Sequence, residues 1–339
     1  MIAQDLLQYS HTVGIYALKG RGFNNPVDLA FGNNGVIYVL NRAGPEVAVR
    51  MPYKRVTMCT VDEHYFGEFS SGGVGDGQMM WPSSIAIDGD GNVYVSDEAL
   101  HRITIFDSDG QFLSKWGTRG SGDGEFNRPA GIAFDGDGNL LVVDGMNNRI
   151  QRFTSDGRFL SAWGRAGNGD GEFNIPWGIH IDGAGSVYVA DWRNDRIQKF
   201  DAKGKHLMSL GVSGKGDGEF HRPSGVATDS DGNIYVTDWG NERVQIFRSD
   251  GSFLAKIRGE ADMSKWADDY FEANTDEYEE RQKADMEPAP DLILHDYSRE
   301  ESATIEKLFW GPTAVKIDAE GRVFVVDSCR HRIQIYQKR

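Results

Sequence analysis

Short runs of apolar residues, several of them alternating with polar ones, recur along most of the chain and are separated by Asp-Gly and Ser-Asp-Gly turns. Residues 130–164 show the pattern well, because AGIAF, NLLVVD, RIQRF and RFLSAWG follow one another there. Runs of this length, bounded by turn residues, favour strands over helices. We therefore predict four short strands in each repeating unit.

The unit recurs six times, and each copy begins at a proline. The six prolines are Pro26, Pro82, Pro129, Pro176, Pro223 and Pro312, and three successive spacings are 47 residues. Four antiparallel strands in a repeat of this length are typical of one propeller blade. We predict an all-β fold, a single six-bladed β-propeller domain of four-stranded antiparallel blades over residues 1–339.

The two ends of the chain complete one blade. The last unit ends at RIQIYQKR with three strands, and HTVGIYALKGRGFNNP near the start aligns with the outer strand and exit loop of a blade. We expect this N-terminal strand to be the fourth strand of the last blade, which joins the ends of the ring and covers otherwise open strand edges.

The repeated segments P-x-G-I-A-x-D, D-G-N-x-Y-V-x-D and N-x-R-I-Q-x-F resemble the NHL repeat, from about residue 11 to 337 outside two insertions. The resemblance implies a propeller whose relatives include ligand-binding domains, protein-interaction scaffolds, RNA binders, sensor domains and metal-dependent lyases. A shared fold does not select one of these functions.

Two metal sites of the lyase branch can be compared by position. Its zinc-binding histidines follow the proline of a blade, where this chain has Val27, Ser83, Ala130, Trp177, Ser224 and Thr313, so the zinc site is not matched. The resemblance also implies a structural calcium ion in the channel, partly held by an inner-strand aspartate to which Asp28 corresponds.

The composition of the chain restricts the classes of molecule that it is expected to bind. The net charge of −15 argues against nucleic acid, because phosphate binding needs clustered Lys and Arg. Cys59 and Cys329 fit neither a zinc spacing nor a disulfide scaffold, which indicates a reducing compartment. With no signal-like start and no long apolar run, we expect a cytoplasmic protein that does not bind membranes. Its expected partner is a small molecule or a protein.

Two motifs that suggest chemistry are better explained as architecture. DGDGN at Asp88 and Asp135 imitates a calcium loop but lacks the required glycine and glutamate, so we expect hairpin turns. The Asp and Arg that recur around strands two and three of five blades predict structural ion pairs at every blade junction. They are Asp97, Asp144, Asp191, Asp238 and Asp327 with Arg102, Arg149, Arg196, Arg243 and Arg332.

Two insertions interrupt the repeat. Residues 42–54 enlarge the loop between strands two and three of blade one, and residues 259–307, with a net charge of −11, separate blades five and six. In a propeller both kinds of loop emerge on one face, at one mouth of the channel. The long insertion has helix caps at Ser264 and Thr275 and a capping box, Ser298 with Glu301. It is either a solvated helical elaboration or a lid over the mouth.

The loops of that face also carry aromatic, basic and imidazole side chains. Tryptophans beside a cavity suit stacking or cation–π binding of a flat, cationic or sugar-like ligand. The candidate ligand-binding residues are Arg42, Tyr53, Trp81, His101, Trp177, Trp192, Arg193, Trp239, Trp310, Arg330 and His331.

Three residues break the pattern of small side chains along the inner strands. His180 and Lys316 stand where other blades have alanine, and Asp28 lies one pleat nearer the mouth. They form either a catalytic proton-transfer or metal site or a self-neutralising channel lining.

Two functional hypotheses follow. The chain is a binding protein or scaffold that acts at the mouth, or it is a lyase or hydrolase that acts on a small molecule in the channel.

Overall fold

The computed structural model describes residues 6–44, 53–285 and 298–339 and contains six four-stranded antiparallel sheets. Blade one comprises Pro26–Phe31, Ile37–Asn41, Arg55–Cys59 and Tyr65–Phe69; blade two, Pro82–Ile87, Val93–Asp97, Arg102–Phe106 and Phe112–Trp116; blade three, Pro129–Phe134, Leu140–Asp144, Arg149–Phe153 and Phe159–Trp163. Blade four comprises Ile179–Ile181, Val187–Asp191, Arg196–Phe200 and His206–Leu210; blade five, Pro223–Thr228, Ile234–Asp238, Arg243–Phe247 and Phe253–Ile257; blade six, Pro312–Ile317, Val323–Asp327, Arg332–Lys338 and Leu7–Val13. The predicted all-β propeller is confirmed.

The N-terminal strand closes the ring as predicted. Leu7–Val13 pairs antiparallel with Arg332–Lys338, with Val13 opposite Ile333 and one irregularity between Tyr9 and His11. Blade six is therefore built from both ends of the described chain, so ring closure and folding of this blade are one event.

The hydrophobic core lies between neighbouring blades. One of its clusters joins Ile103 and Ile105 of blade two to Ile132 and Leu140 of blade three, and Phe126 of the connecting loop is fully buried within it. Full burial of one such side chain contributes about 1.5–3 kcal/mol. Each blade therefore depends on its neighbours for its own stability.

The Asp-Gly segments form hairpin turns, as the turn interpretation predicts. Asp88 Oδ1 accepts hydrogen bonds from the backbone N–H groups of Asp90 and Asn92, at 3.0 and 2.8 Å. The carboxylate that a calcium loop would offer to an ion instead stabilises its own turn.

In blades two to six, a buried carboxylate fastens the connecting loop to the blade that follows it. In blade three, Asp144 accepts from the backbone N–H of Asn127 at 2.7 Å and from Arg149 Nε at 2.9 Å. Arg149 also donates to the carbonyls of Gly122 and Glu125 in the connecting loop. Blades four, five and six repeat the pairs as Asp191–Arg196, Asp238–Arg243 and Asp327–Arg332.

Blade two departs from this scheme, so the prediction of an ion pair in every column is wrong there. Asp97 accepts from the backbone N–H groups of Met80, Trp81, Ala99 and Leu100. These four donors fill its oxygens, and Arg102 Nε turns to Thr104 Oγ1 at 3.2 Å. Thr104 replaces the glutamine that would otherwise link the aspartate to the loop.

The long insertion contains three helices in its described part, α1 (Lys265–Ala273), α2 (Thr275–Gln282) and α3 (Arg299–Thr304). Ser264 caps α1, and the Ser298–Glu301 capping box is present on α3, as predicted. The predicted cap at Thr275 is wrong, because Asn274 precedes the helix and Thr275 is its first residue. None of the described helices is long and apolar enough to cross a membrane.

The side chain of Trp266 in α1 occupies a position that the last residue of the outer strand, Trp116, occupies in blade two. Trp116 ends the outer strand of blade two and packs on Phe126 at 5.9 Å between ring centroids. The outer strand of blade six ends in the smaller Val13, and Trp266 lies 5.8 Å from the equivalent Phe23. Its backbone and indole N–H groups donate to Glu63, at 2.7 and 2.9 Å. The insertion is thus anchored at the junction of blades six and one.

This anchoring predicts that Trp266→Ala lowers the free energy of unfolding by about 3–5 kcal/mol, the usual cost of removing a buried tryptophan. Tyr270→Ala is the matched control, because Tyr270 of the same helix is 42% exposed. We expect it to change stability by less than about 0.5 kcal/mol. Urea denaturation measures both. Equal losses in the two variants would show that Trp266 does not anchor the insertion.

Candidate functional site

An arc of three tryptophans lies at the mouth on the insertion face. Trp192 and Trp239 begin the short turns Trp192–Asn194 and Trp239–Asn241 that follow strand two of blades four and five. Their rings are 6.4 Å apart, and Trp177, just after the proline of blade four, lies 6.4 Å from Trp192. All three are half-buried, so the structure brings these predicted residues together as one aromatic surface.

Arginines of the same chain already stack on these rings. The guanidinium carbons of Arg222 and Arg299 lie 4.8 Å from the Trp192 ring and 4.4 Å from the Trp239 ring. Exposed Arg193 approaches Trp192 at 5.6 Å. Because cations of the protein occupy the indole faces, the mouth does not favour the cationic ligand that the tryptophans alone predict.

Arg42 closes the channel entrance. It extends from blade one over Trp81 of blade two, at 4.2 Å, and reaches within 5.8 Å of Trp177 in blade four, the blade opposite its own. A salt bridge of 2.8 Å to Glu98 holds it there. Burial lowers the pKa of Arg42 to about 10.

The central channel below Arg42 is narrow. Its cavity has a volume of about 30 Å³ and is lined by Asp28, Trp177 and Lys316, among other residues. That volume is room for a water molecule rather than a substrate.

Asp28 and Lys316 form an ion pair in this channel, 3.1 Å between Nζ and Oδ1. Asp28 also accepts from the backbone N–H groups of Leu29 and Ile85 and from Ser84 Oγ. The residues do not fit a calcium ion, because an ammonium group takes the cation's place and four donors fill both carboxylate oxygens. Among the described residues, no group of three or more His, Cys, Asp or Glu is placed to hold a metal ion.

His180 lies apart from that pair. Its Nε2 accepts from the backbone N–H of Thr228 at 3.2 Å and lies 2.8 Å from Thr228 Oγ1. Burial, and to a smaller extent the positive charge of Lys316, lowers the pKa of His180 to about 4. Thr228 is polar where most blades have Ile or Phe, so the two unusual residues are partners across a blade junction.

His101 and His331 act as structural clasps. His101 Nδ1 accepts from the backbone N–H of Arg128 at 3.1 Å, and His331 Nδ1 accepts from that of Asn25 at 2.9 Å. Each joins its loop to the residue before the next proline. Other blades use Asn148, Asp195 and Glu242 in the same way. Five of the six blades have a hydrogen-bond acceptor at this position. Comparing the position across the blades could therefore have revealed its structural role from the sequence.

A larger cavity, of about 530 Å³, lies beneath the insertion at the rim of blade six. Its lining includes Tyr16, Phe271, Arg281, Cys329 and His331 but neither His180 nor Lys316. Arg330, stacked 5.7 Å from Trp310, donates to the three carbonyls at the end of α3, those of Ser302, Ala303 and Ile305. The described helices therefore cover blades five, six and one at the rim.

Tyr53 and the insertion 42–54 are only partly described, because residues 45–52 lie outside the described part. Tyr53 is half-buried, and Lys19 Nζ lies 5.9 Å from its ring. Tyr53 therefore faces a connecting loop, and none of its described ring contacts is with the tryptophan arc.

Family comparisons agree with this architecture. The sequence model of the NHL repeat matches residues 220–247 and 309–336, which lie in blades five and six. A family described as a 6-bladed beta-propeller matches residues 82–152 and 135–209. The chain is a six-bladed propeller of the NHL-repeat type. No curated protein matches it by sequence.

Solved structures share the fold of this NHL propeller. A streptogramin B lyase is 11% identical over 100% of both chains, with a TM-score of 0.59. A catalytically inactive virginiamycin B lyase from Staphylococcus aureus with quinupristin is 12% identical over 98% of both chains, with a TM-score of 0.58. A protein of unknown function from Bacteroides thetaiotaomicron is 15% identical, with a TM-score of 0.62, over 98% of this chain and 76% of the other. At these identities the likeness shows the fold alone.

Glu242 is a residue of the NHL propeller that the sequence pattern did not single out. It is fully buried, pairs with Arg299 of α3 and accepts from the backbone N–H of Gly311. Burial raises its pKa to about 7, although Arg299 opposes the shift. Arg299 also lies 3.6 Å from the Cys329 sulfur, whose pKa burial raises to about 11. The arrangement docks α3 on the mouth and leaves the thiol protonated.

The depressed pKa of His180 predicts acid sensitivity of the NHL propeller. Its folded pKa, about 4, lies below the ordinary 6.5, so its stabilising effect is complete above pH 6.5 and is lost as pH falls toward 4. His180→Ala, which restores the residue of the other blades, should remove on the order of 1–3 kcal/mol of this pH dependence. Urea denaturation at several pH values measures it. Identical pH profiles for the two proteins would contradict the assignment.

Proposed function

We propose that this NHL propeller is a recognition protein that binds a small ligand or a protein partner at the tryptophan–arginine mouth on its insertion face. One contrast carries the proposal. Half-buried aromatic and basic side chains are gathered at the mouth, whereas the channel beneath it has a volume of only about 30 Å³. The space for recognition lies above the ring rather than within it.

The mouth has the properties of a preorganised surface. Trp192 and Trp239 follow directly on Asp191 and Asp238, whose carboxylates are bonded to Arg196 and Arg243. Their loops are therefore held by the rigid scaffold. Tryptophan and arginine are also the residues that most often dominate binding energy at interfaces. We place this recognition in the cytoplasm, since both cysteines are unpaired.

An enzyme that acts in the channel is the second candidate, and the fold shared with two lyases favours it. The polar axial residues weigh against it. Asp28 and Lys316 satisfy each other, and His180 is bonded to Thr228. Such chemistry would require Arg42 and Trp177 to separate before a substrate could reach these groups.

The proposal predicts that Trp192→Ala weakens ligand binding about tenfold or more, on the order of 2 kcal/mol, because a stacking surface is lost. Organic anions, organic cations and neutral sugars form the test panel, and the shift in Tm followed by calorimetric titration is the readout. Phe66→Ala is the matched control, since Phe66 is 52% exposed on an outer strand.

We expect the control variant to bind like the parent protein. Lys316→Met should also leave binding unchanged, because Lys316 lies in the narrow channel below the mouth. Loss of binding in Lys316→Met with full binding in Trp192→Ala would favour the channel enzyme over the recognition protein.

A further inference from the structure

We propose that the mouth contains an anion-binding subsite formed by Arg128, Arg42 and Lys54 beside Trp81, and that its ligand is a small organic anion bearing a carboxylate or a phosphate. This inference rests on the proposed function and names the chemical class of its ligand.

The first observation is the charge of the mouth. The chain carries a net charge of −15, yet Arg128, Arg193 and Arg222 all lie at this face. No carboxylate of the described residues forms a salt bridge with any of the three guanidinium groups. Cations without a salt bridge at one face of an acidic protein favour an anionic ligand at that face.

The second observation is a cavity over blade two. Its lining belongs to blade two and to the entrance of blade three: the volume is about 320 Å³, and the lining residues are Trp81, Glu98, Ala99 and Arg128. Pockets for small ligands span roughly 300–1,000 Å³. Arg42 contacts two of the lining residues, Trp81 and Glu98, so its guanidinium group lies at the edge of the cavity.

The third observation is Lys54, which is only 1% exposed. Its Nζ donates to the carbonyl of Arg42 at 2.8 Å and lies 5.4 Å from the Trp81 ring. No carboxylate of the described residues pairs with it. Burial, together with the charge of Arg42, lowers the pKa of Lys54 to about 8. Among the described acids only the charge of Asp97 acts on it, without a direct contact. A buried ammonium that contacts no carboxylate is costly, and a bound anion would supply that contact.

Two acidic groups lie nearby, and both already accept hydrogen bonds from other donors. Glu98 is committed to Arg42, and burial raises its pKa. The oxygens of Asp97 accept from backbone N–H groups, including that of Trp81 at 3.1 Å. Three basic side chains therefore face two acids that already have donors, which leaves the junction with an excess of positive charge.

The fold itself does not require a lysine at position 54. In the other five blades this column holds an acceptor that clasps the N–H before the next proline, as His101 does for Arg128. Lys54 has no acceptor atom on its side chain. In blade one, the equivalent hydrogen bond to the residue before the next proline is made by Asp97, which accepts the backbone N–H of Trp81. Lys54 is thus the one exception in a structural column, and it lies beside the cavity.

The experiment titrates the full chain with inorganic phosphate and with benzoate at constant ionic strength, and reads tryptophan fluorescence and heat. We expect saturable binding that Arg128→Gln weakens at least tenfold. Arg158→Gln is the matched control, because Arg158 is exposed on a turn at the opposite face and loses the same charge. Lys54→Met is an independent variant, used after its Tm has shown that it folds.

Three outcomes separate the possibilities. Binding that weakens in Arg128→Gln but not in Arg158→Gln supports the subsite, and a preference for phosphate or for benzoate identifies which anion it takes. Equal weakening in both variants, or no saturable binding of either anion, overturns it. If cations or neutral sugars bind through Trp192 while anions do not, the proposed function stands and this inference fails.

Discussion

The buried aspartate at the end of strand two is the interaction on which the ring depends. In blade five, Asp238 is fully buried and bonded to Arg243, Asn241, Gln245 and the backbone of His221. Burying a carboxylate and a guanidinium group costs several kcal/mol unless every donor and acceptor is satisfied. Full satisfaction ties each connecting loop to the next blade, so the mouth loops begin from a fixed frame.

That frame is altered in the two blades that border the proposed subsite. Asn41 replaces the aspartate in blade one, and Asp97 of blade two accepts backbone N–H groups instead of its arginine. Lys54 takes the place of the clasp acceptor. Lys54 therefore makes no clasp, and its described hydrogen bond is to the carbonyl of Arg42 rather than to a carboxylate. Departure from a repeat is therefore a physical criterion for function here, since the remaining blades show what the fold alone requires.

The fold could be predicted from the sequence because its signals are local and occur six times. Strand runs, turn residues and the missing strand of the last unit need no knowledge of distant contacts. The same holds for the capping box at Ser298. The site could not be predicted so well, because Arg42 and Trp177 meet across the ring and are separated by three blades in sequence. His101 and His331 were expected to contact a ligand, and only comparison with Asn148 and Asp195 shows them to be clasps.

The acidic insertion and the basic mouth are coupled through Arg299. Arg299 is the first residue of α3, which also contains Glu300 and Glu301. Its side chain pairs with buried Glu242 and stacks on Trp239 at 4.4 Å. The insertion thus contributes a cation to the mouth while most of its negative charge remains exposed to solvent. Trp266 anchors the other end of the insertion at the junction of blades six and one. With both ends fixed to the ring, the charge of the insertion lies beside the mouth without neutralising its unpaired arginines. An anion that reaches the subsite must therefore approach from the side of blades two to four.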